Sequence, residues 1–257
     1  MHDLTPRQER IMERVRQDGF VAIEGLAEQF NVTPQTIRRD INQLCALGLL
    51  RRHHGGAGLP SSVENVAYRA RKVMQLDAKQ RIARVLAAEV PDQASLFITL
   101  GTTNEQVAKA LLEHDGLRII TNNLNVATIL TNNPTFEIIL AGGVVRPRDR
   151  GITGEATIDF MRQFRVDFGI TGISGIDSDG TLLDFDYREV RVVRAIMAQA
   201  RQFWLATDHS KFGRNAMVEL GHLRELDALF TDRKPPEDWQ RQLDEAGVRV
   251  VVANQPD

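Results

Sequence analysis

Apolar positions in the first fifty residues recur at helical spacing. Ile11 and Val15 stand four apart behind Thr5 as a cap, Pro6 at the first helical position and Glu9 nearby, which predicts a short amphipathic helix that stops at Gly19. Val21-Ala22-Ile23 reads as a short strand, and Leu26, Ala27 and Phe30 make the apolar side of a second helix. Asn31 and Val32 turn the chain. Thr33 then caps a third helix, with Pro34 in its first turn, that runs to about Leu47 and ends at Gly48. At about 100° per residue, Ile37, Ile41 and Leu44 fall on one side of that helix. Gln35, Arg39 and Asn42 fall opposite, and Arg38 lies on a flank. The stretch from Leu49 through Arg51, Arg52, His53 and His54 to Gly56 reads as a hairpin, or wing. Residues 1–57 are therefore expected to form a winged helix-turn-helix.

From residue 76 onward the pattern changes. Helices are expected over Asp77 to Glu89, Asn104 to Leu112, Asn125 to Leu130, Glu189 to Ala200 and Glu237 to Glu245. Between them lie short apolar runs: Leu96 to Ile98, Arg118 to Ile120, Glu137 to Leu140, Val166 to Ile170, Phe203 to Ala206, Ala228 to Phe230 and Val248 to Val252. Such alternation predicts an α/β domain over 76–257 with a largely parallel sheet covered on both faces. Residues 58–75, with Gly58, Pro60, Ser61 and Ser62, are the expected linker. Its basic end, Tyr68 to Lys72, is left open between DNA and the second domain.

Composition narrows the class. Apolar residues are 42% and charged residues 26% of the 257, which excludes a disordered or fibrous chain. The single cysteine, Cys45, forms no internal disulfide and reads as a small core residue, so a reducing, cytoplasmic setting is expected. No apolar run is long enough to span a membrane, and no apolar signal-peptide core opens the chain. The net charge of −2 hides an asymmetry: from Asn31 to Lys72, seven basic residues stand against Asp40 and Glu64. That excess suits a polyanion, although on charge alone a solvated face is the better reading.

The motifs give the charge a meaning. Arg, Gln and Asn are the side chains that pair with base edges, so the Gln35, Arg39, Asn42 side is the expected base-reading face. Thr33, Thr36 and the helix N-terminus, and the wing's Arg51 and Arg52, suit phosphates of double-stranded DNA, and Arg38 on the flank is a further DNA-binding candidate. In the second domain, five polar or glycine-rich loops follow five strands. They hold Gly101, Thr102 and Thr103; Thr121, Asn122 and Asn123; Gly142 and Gly143; Gly172, Ser174, Gly175 and Asp177; and Asp208 to Gly213 with Lys211. In a parallel sheet those ends share one edge, where open α/β folds bind ligands. Gly101-Thr102-Thr103 opens a helix and Lys211 brings a positive charge, which favours a phosphate. Asp177, Asp184 and Asp186 are candidate acceptors for ligand hydroxyls or loop caps, and Arg146 to Arg150 a candidate anion or subunit contact. His53 and His54 would point to opposite faces of a strand, no G-x-G-x-x-G or Walker loop occurs, and neither metal nor cofactor is expected. An isomerase would need a carboxylate base and an electrophile. Asp177 or Asp184 with Lys211 could imitate these, but the spacing makes no such arrangement convincing, and no catalysis is expected.

Arg7, Ile11 and Val15, followed by Thr33-Pro34-Gln35-Thr36-Ile37-Arg38-Arg39-Asp40-Ile41, resemble the winged helix-turn-helix of the DeoR family of bacterial repressors. The later loops resemble that family's sensor domain, which is similar in fold to ribose-5-phosphate isomerase; Asp208-His209-Ser210-Lys211 looks like a stretch of that isomerase family. The resemblance implies operator DNA as partner, a homo-oligomer (dimer or tetramer) and a phosphorylated polyol or sugar as inducer. Further stretches, among them Arg51 to Ala57, Thr121 to Ala127, Gly172 to Gly180 and Asp208 to Val218, resemble members that control glycerol 3-phosphate metabolism, which implies that compound as the inducer.

Overall fold

A computed structural model describes residues 4–18, 20–53, 55–58 and 68–253, in two units, Met1–Glu64 and Asn65–Asp257. The first unit runs α1 (Pro6–Asp18), β1 (Phe20–Ala22), α2 (Ile23–Phe30), α3 (Pro34–Ala46), β2 (Arg51–His53) and β3 (Gly56–Gly58). Thr5 and Gln8 cap α1 reciprocally: the Gln8 amide donates to Thr5 Oγ1 at 3.3 Å and the Thr5 amide donates to Gln8 Oε1 at 3.0 Å. The capping partner is thus Gln8, not Glu9. The strand expected at Val21 to Ile23 sits one residue earlier. Ile23 instead begins α2 and is buried, because the helix places its side chain in the core. Asn31, at φ 50°, ends α2 in the left-handed region that asparagine tolerates. The wing is broader than the expected hairpin: β3 pairs with both β2 and β1, antiparallel, and continues to Gly58. His54, Gly19 and the Pro60 to Ser62 boundary lie outside the described residues. Ile11, Val15, Ile37, Ile41 and Leu44 meet in this unit's core with Ile23, Leu26 and Leu50.

The second unit opens with α4 (Tyr68–Val73), inside the stretch expected as linker, and α5 (Leu76–Ala87). There follow β4 (Ser95–Ile98), α6 (Thr102–Ala110), β5 (Arg118–Thr121), α7 (Leu124–Leu130) and β6 (Glu137–Leu140). Next come β7 (Val144–Arg146), β8 (Gly151–Thr153), α8 (Glu155–Met161), β9 (Val166–Thr171), β10 (Gly175–Ile176) and β11 (Thr181–Asp184). The chain closes with α9 (Tyr187–Gln199), β12 (Ala200–Ala206), β13 (Val218–His222), β14 (Ala228–Thr231), α10 (Glu237–Glu245) and β15 (Arg249–Val252).

Seven strands form one sheet in the order β15-β14-β12-β9-β4-β5-β6, and every pairing is parallel. Alternation along the strands fills both faces. Leu96, Ile98, Ile119, Trp204 and Phe230 pack with Ile82, Leu86, Val107 and Val126 of α5, α6 and α7. Phe97, Ile120, Leu205 and Leu229 pack with Ile158, Val193, Ile196 and Leu243 of α8, α9 and α10. Sequence periodicity did not reveal the β7–β8 hairpin, α8 or the small antiparallel sheet β10-β11-β13, whose strands are two to five residues long.

In the first unit, the Asp40 carboxylate is buried on the inner side of α3 and accepts from Arg7 Nε at 2.5 Å and Nη2 at 3.2 Å, which ties α1 to α3. Asp40→Ala leaves Arg7 without that partner, and the expected loss is about 1–3 kcal/mol of stability in this unit. Thermal unfolding followed by circular dichroism checks it.

Candidate functional site

α3 presents a polar side to solvent. Gln35, Arg39 and Asn42 are exposed while Ile37, Ile41 and Leu44 are buried, and Arg38 is half-buried. Thr33 Oγ1 accepts from the Thr36 amide at 3.3 Å, and the two hydroxyls are 2.9 Å apart. Both threonines therefore serve the cap as well as any phosphate. Arg51 and Arg52 are exposed on the wing, and Arg52 Nη1 donates to Asn42 Oδ1 at 3.0 Å. The wing and the polar side of α3 thus form one cationic, hydrogen-bonding surface. Burial pushes the Cys45 thiol above its ordinary pKa, which suits a packing role.

In the second unit the loops after β4, β5, β6, β9 and β12 share the sheet edge at the strands' carboxyl ends. Gly101 adopts φ 139°, a conformation that L side chains rarely take, and turns β4 into α6. The first α6 amides precede its first helical bond, Glu105 N to Gly101 O at 3.0 Å, and face this edge beside the buried Thr102 and Thr103. Asn104 is wholly buried. Its amide nitrogen donates to Thr99 and Leu100, whereas its Oδ1 has no hydrogen-bond partner. Asn122 repeats this: Nδ2 donates to Ile152 O at 3.0 Å and Oδ1 is unpartnered. Thr121 and Asn123 are committed to the frame. Thr121 Oγ1 donates to Ile98 O at 2.6 Å, and Asn123 Oδ1 caps α7. Gly142 O accepts from Thr157 Oγ1 at 2.8 Å, and a Cβ on Gly143 would lie 2.2 Å from that same oxygen.

After β9, Gly172 is half-buried at the edge, and Ser174 Oγ donates to Asp184 Oδ1 at 3.0 Å while its carbonyl accepts from Arg214 Nη1 at 3.0 Å. Gly175 has no room for a Cβ, which would sit 1.9 Å from Arg214 O. Asp177 stands apart. It is exposed, and its carboxylate accepts from the Ser178 amide in the β10–β11 turn. Asp186 caps α9 and, with Asp149 and Glu189, surrounds the buried Arg146 at 2.6–2.7 Å. Arg146 is therefore an internal strut from hairpin to helix and not an exposed anion contact.

Four cations gather at the edge: Arg71, Lys79, Lys211 and Arg214. Lys79 is buried, and its Nζ donates to Arg71 O at 2.5 Å, Met74 O at 2.7 Å and Thr102 Oγ1 at 3.1 Å. Burial lowers the pKa of Lys79 to about 8, against the pull of Asp208. Burial likewise lowers Lys211 to about 8, with Arg214, Lys79 and Arg71 adding repulsion and Asp208 opposing. The buried Asp208 ionises below its ordinary range: desolvation opposes this, and Lys211, the Ser210 bonds and Lys79 outweigh it. Asp184 is raised by burial. The edge is thus a partly desolvated concentration of positive charge, the chemistry of an anion site.

Sequence reasoning passed over Lys79, Asn104 and Arg214. Lys79 carried a signal, since it falls among Ala78, Ile82, Ala83 and Leu86 on the buried side of α5. Arg214 lies in an irregular stretch with no periodicity to read.

Residues 7–63 match the DeoR-like helix-turn-helix domain and residues 74–233 the DeoR C terminal sensor domain. The chain is 57% identical over 248 residues to the glycerol-3-phosphate regulon repressor of Escherichia coli, covering 96% of this chain and 98% of that protein. It is 51% identical to the protein of the same name from Haemophilus influenzae, covering 96% of each chain. Ribose 5-phosphate isomerase A from Neisseria gonorrhoeae aligns at 12% identity with a TM-score of 0.39, over 52% of each chain. The fold rests on the sheet and the family match instead.

The two lowered lysines set a pH dependence. Each folded value, about 8, lies below the unfolded value. Between pH 8 and about 10.4 the unfolded chain therefore holds more protons, and these two groups add stability as pH rises. Anion binding has the opposite sign, because it needs both lysines charged. A phosphate monoester, with a second pKa near 6, is expected to bind best between about pH 6 and 8 and to weaken above 8. Isothermal titration across pH checks this. Lys211→Ala is expected to weaken the binding about tenfold or more.

Proposed function

The chain belongs to the DeoR family of helix-turn-helix regulators, and from that premise we propose that it represses glycerol 3-phosphate metabolism genes and leaves their operators when glycerol 3-phosphate binds. The exposed Gln35, Arg39 and Asn42 on α3 read base edges in the major groove, and Arg38, Arg51 and Arg52 hold phosphates. Glycerol 3-phosphate occupies the strand-end site. The observation that carries this part is the gathering of Lys79, Lys211, Arg214 and Arg71 beside the α6 N-terminus. Its hydroxyls have the unpartnered Oδ1 atoms of Asn104 and Asn122 within the same edge. Another sugar phosphate is the second reading, since the same cations suit any phosphate monoester.

The site binds and releases without turnover. Asp177 is held by its own turn, and Asp184 is engaged by Ser174 and the Phe185 amide. Action on DNA places the protein in the cytoplasm, and no described helix is long and apolar enough to cross a membrane. A homo-oligomer, dimer or tetramer, matches repeated half-sites. The open edge strand β6 and the exposed Val144 and Val145 offer a surface for a second copy.

For release to occur, the ligand must favour the DNA-free arrangement. A coupling of about 1–3 kcal/mol weakens operator binding about 5–150-fold. Fluorescence anisotropy at fixed salt, on DNA upstream of glycerol-metabolism genes, should show specific binding that glycerol 3-phosphate abolishes and glycerol does not. Specific binding indifferent to glycerol 3-phosphate but sensitive to another phosphate would favour the second reading. Arg39→Ala should cost about 1–3 kcal/mol of operator discrimination; undiminished discrimination would remove Arg39 from the base-reading set.

A further inference from the structure

α4 is tied to the strand-end site at both of its ends. At its start, the Tyr68 hydroxyl donates to Glu105 Oε1 of α6 at 2.6 Å and accepts from Asn125 Nδ2 of α7 at 2.9 Å. Those two helices follow β4 and β5, so one phenol joins two walls of the site. At its other end, Lys79 Nζ binds the carbonyls of Arg71 and Met74, where the helix dipole is negative. The same ammonium reaches Thr102 Oγ1, which itself donates to Arg71 O at 3.3 Å. An ammonium has three donors, and all three are engaged here. Lys79 is therefore a clamp that fixes the backbone of residue 71 against the first residue of α6, rather than a loose cation awaiting a ligand.

With its backbone fixed there, Arg71 adds its charge to the edge. The guanidinium lies 6.0 Å from the centre of the Tyr68 ring, whose hydroxyl joins α6 and α7, and its charge acts on Lys79, Lys211, Arg214 and Asp184. Arg214 is oriented by Ser174 O and packs its guanidinium 5.2 Å from the centre of the Phe185 ring. Like charges held together in a desolvated place are costly, and a bound dianion reverses that cost. In chain order, α4 is the first described element after β3 of the DNA-binding unit.

We propose that Arg71, carried by α4, binds the phosphate of the effector together with Lys211 and Arg214, so that effector binding is sensed directly by the segment leading to the DNA-binding unit. This rests on the reading of the strand ends as a site for a phosphorylated ligand. A phosphate bound there adds charge-assisted hydrogen bonds at the end of α4, and α4 tightens onto α6 and α7.

The test uses the full chain, isothermal titration with glycerol 3-phosphate and, separately, inorganic phosphate, and hydrogen exchange of the α4 amides. Arg71→Gln is expected to weaken glycerol 3-phosphate binding about tenfold to a hundredfold, and Arg71→Lys to recover part of that loss. In the parent protein, saturating ligand should slow exchange over residues 68–73 severalfold, and in Arg71→Gln it should not. Binding within twofold of the parent in both variants, or unchanged α4 exchange on saturation of the parent, overturns the proposal. If Arg71→Gln fails to fold, the Arg71→Lys affinity and the parent's exchange decide. If the parent ignores glycerol 3-phosphate yet binds inorganic phosphate in an Arg71-dependent way, the inducer reading falls and the subsite stands. If the parent binds neither, both fall.

Discussion

All seven strands of the main sheet run the same way, and that constraint orders the rest of the second unit. Parallel neighbours cannot be joined by tight turns, so each crossover must leave the sheet and return over a face. Both faces are thereby covered by helices, and every strand ends at the same edge. The polar loops and the α6 N-terminus meet there because the topology leaves them no other place, and Lys211 and Arg214 follow β12 to the same edge. A mixed sheet would scatter the same residues between two edges.

The sequence disclosed what depends on period. Ile37, Ile41 and Leu44 at helical spacing, and the runs Leu96 to Ile98 and Ala228 to Phe230, announce helix and buried strand because packing selects their spacing. Thr33 and Pro34 announce a helix start through capping chemistry. What stayed illegible is set by distant partners. β7 and β8 are three residues each and are fixed by Arg146 reaching Asp186 and Glu189, forty or more positions away. Asp184 and Asp177 look alike in a sequence. One is half-buried beside Ser174, the other holds a surface turn, and only the fold separates them. Lys79 was readable in principle, as a charge on an apolar face, but its bonds to α4 carbonyls were not.

Buried charge explains why the second unit can be both a scaffold and a sensor. Arg146 is enclosed by three carboxylates and stays committed to the frame. The strand-end cations stand beside Asp208, Glu105 and an Asp184 whose ionisation burial resists. A fully neutralised cluster gives rigidity, and a cluster left with excess charge gives affinity for whatever completes it.

The bond between Arg52 and Asn42 gives the first unit a different property. In the absence of DNA, a wing side chain already satisfies a carbonyl on the polar side of α3. On the proposal that Asn42 meets a base and Arg52 a phosphate, contact with a duplex would substitute one set of partners for another. Only the difference between the two sets counts towards binding.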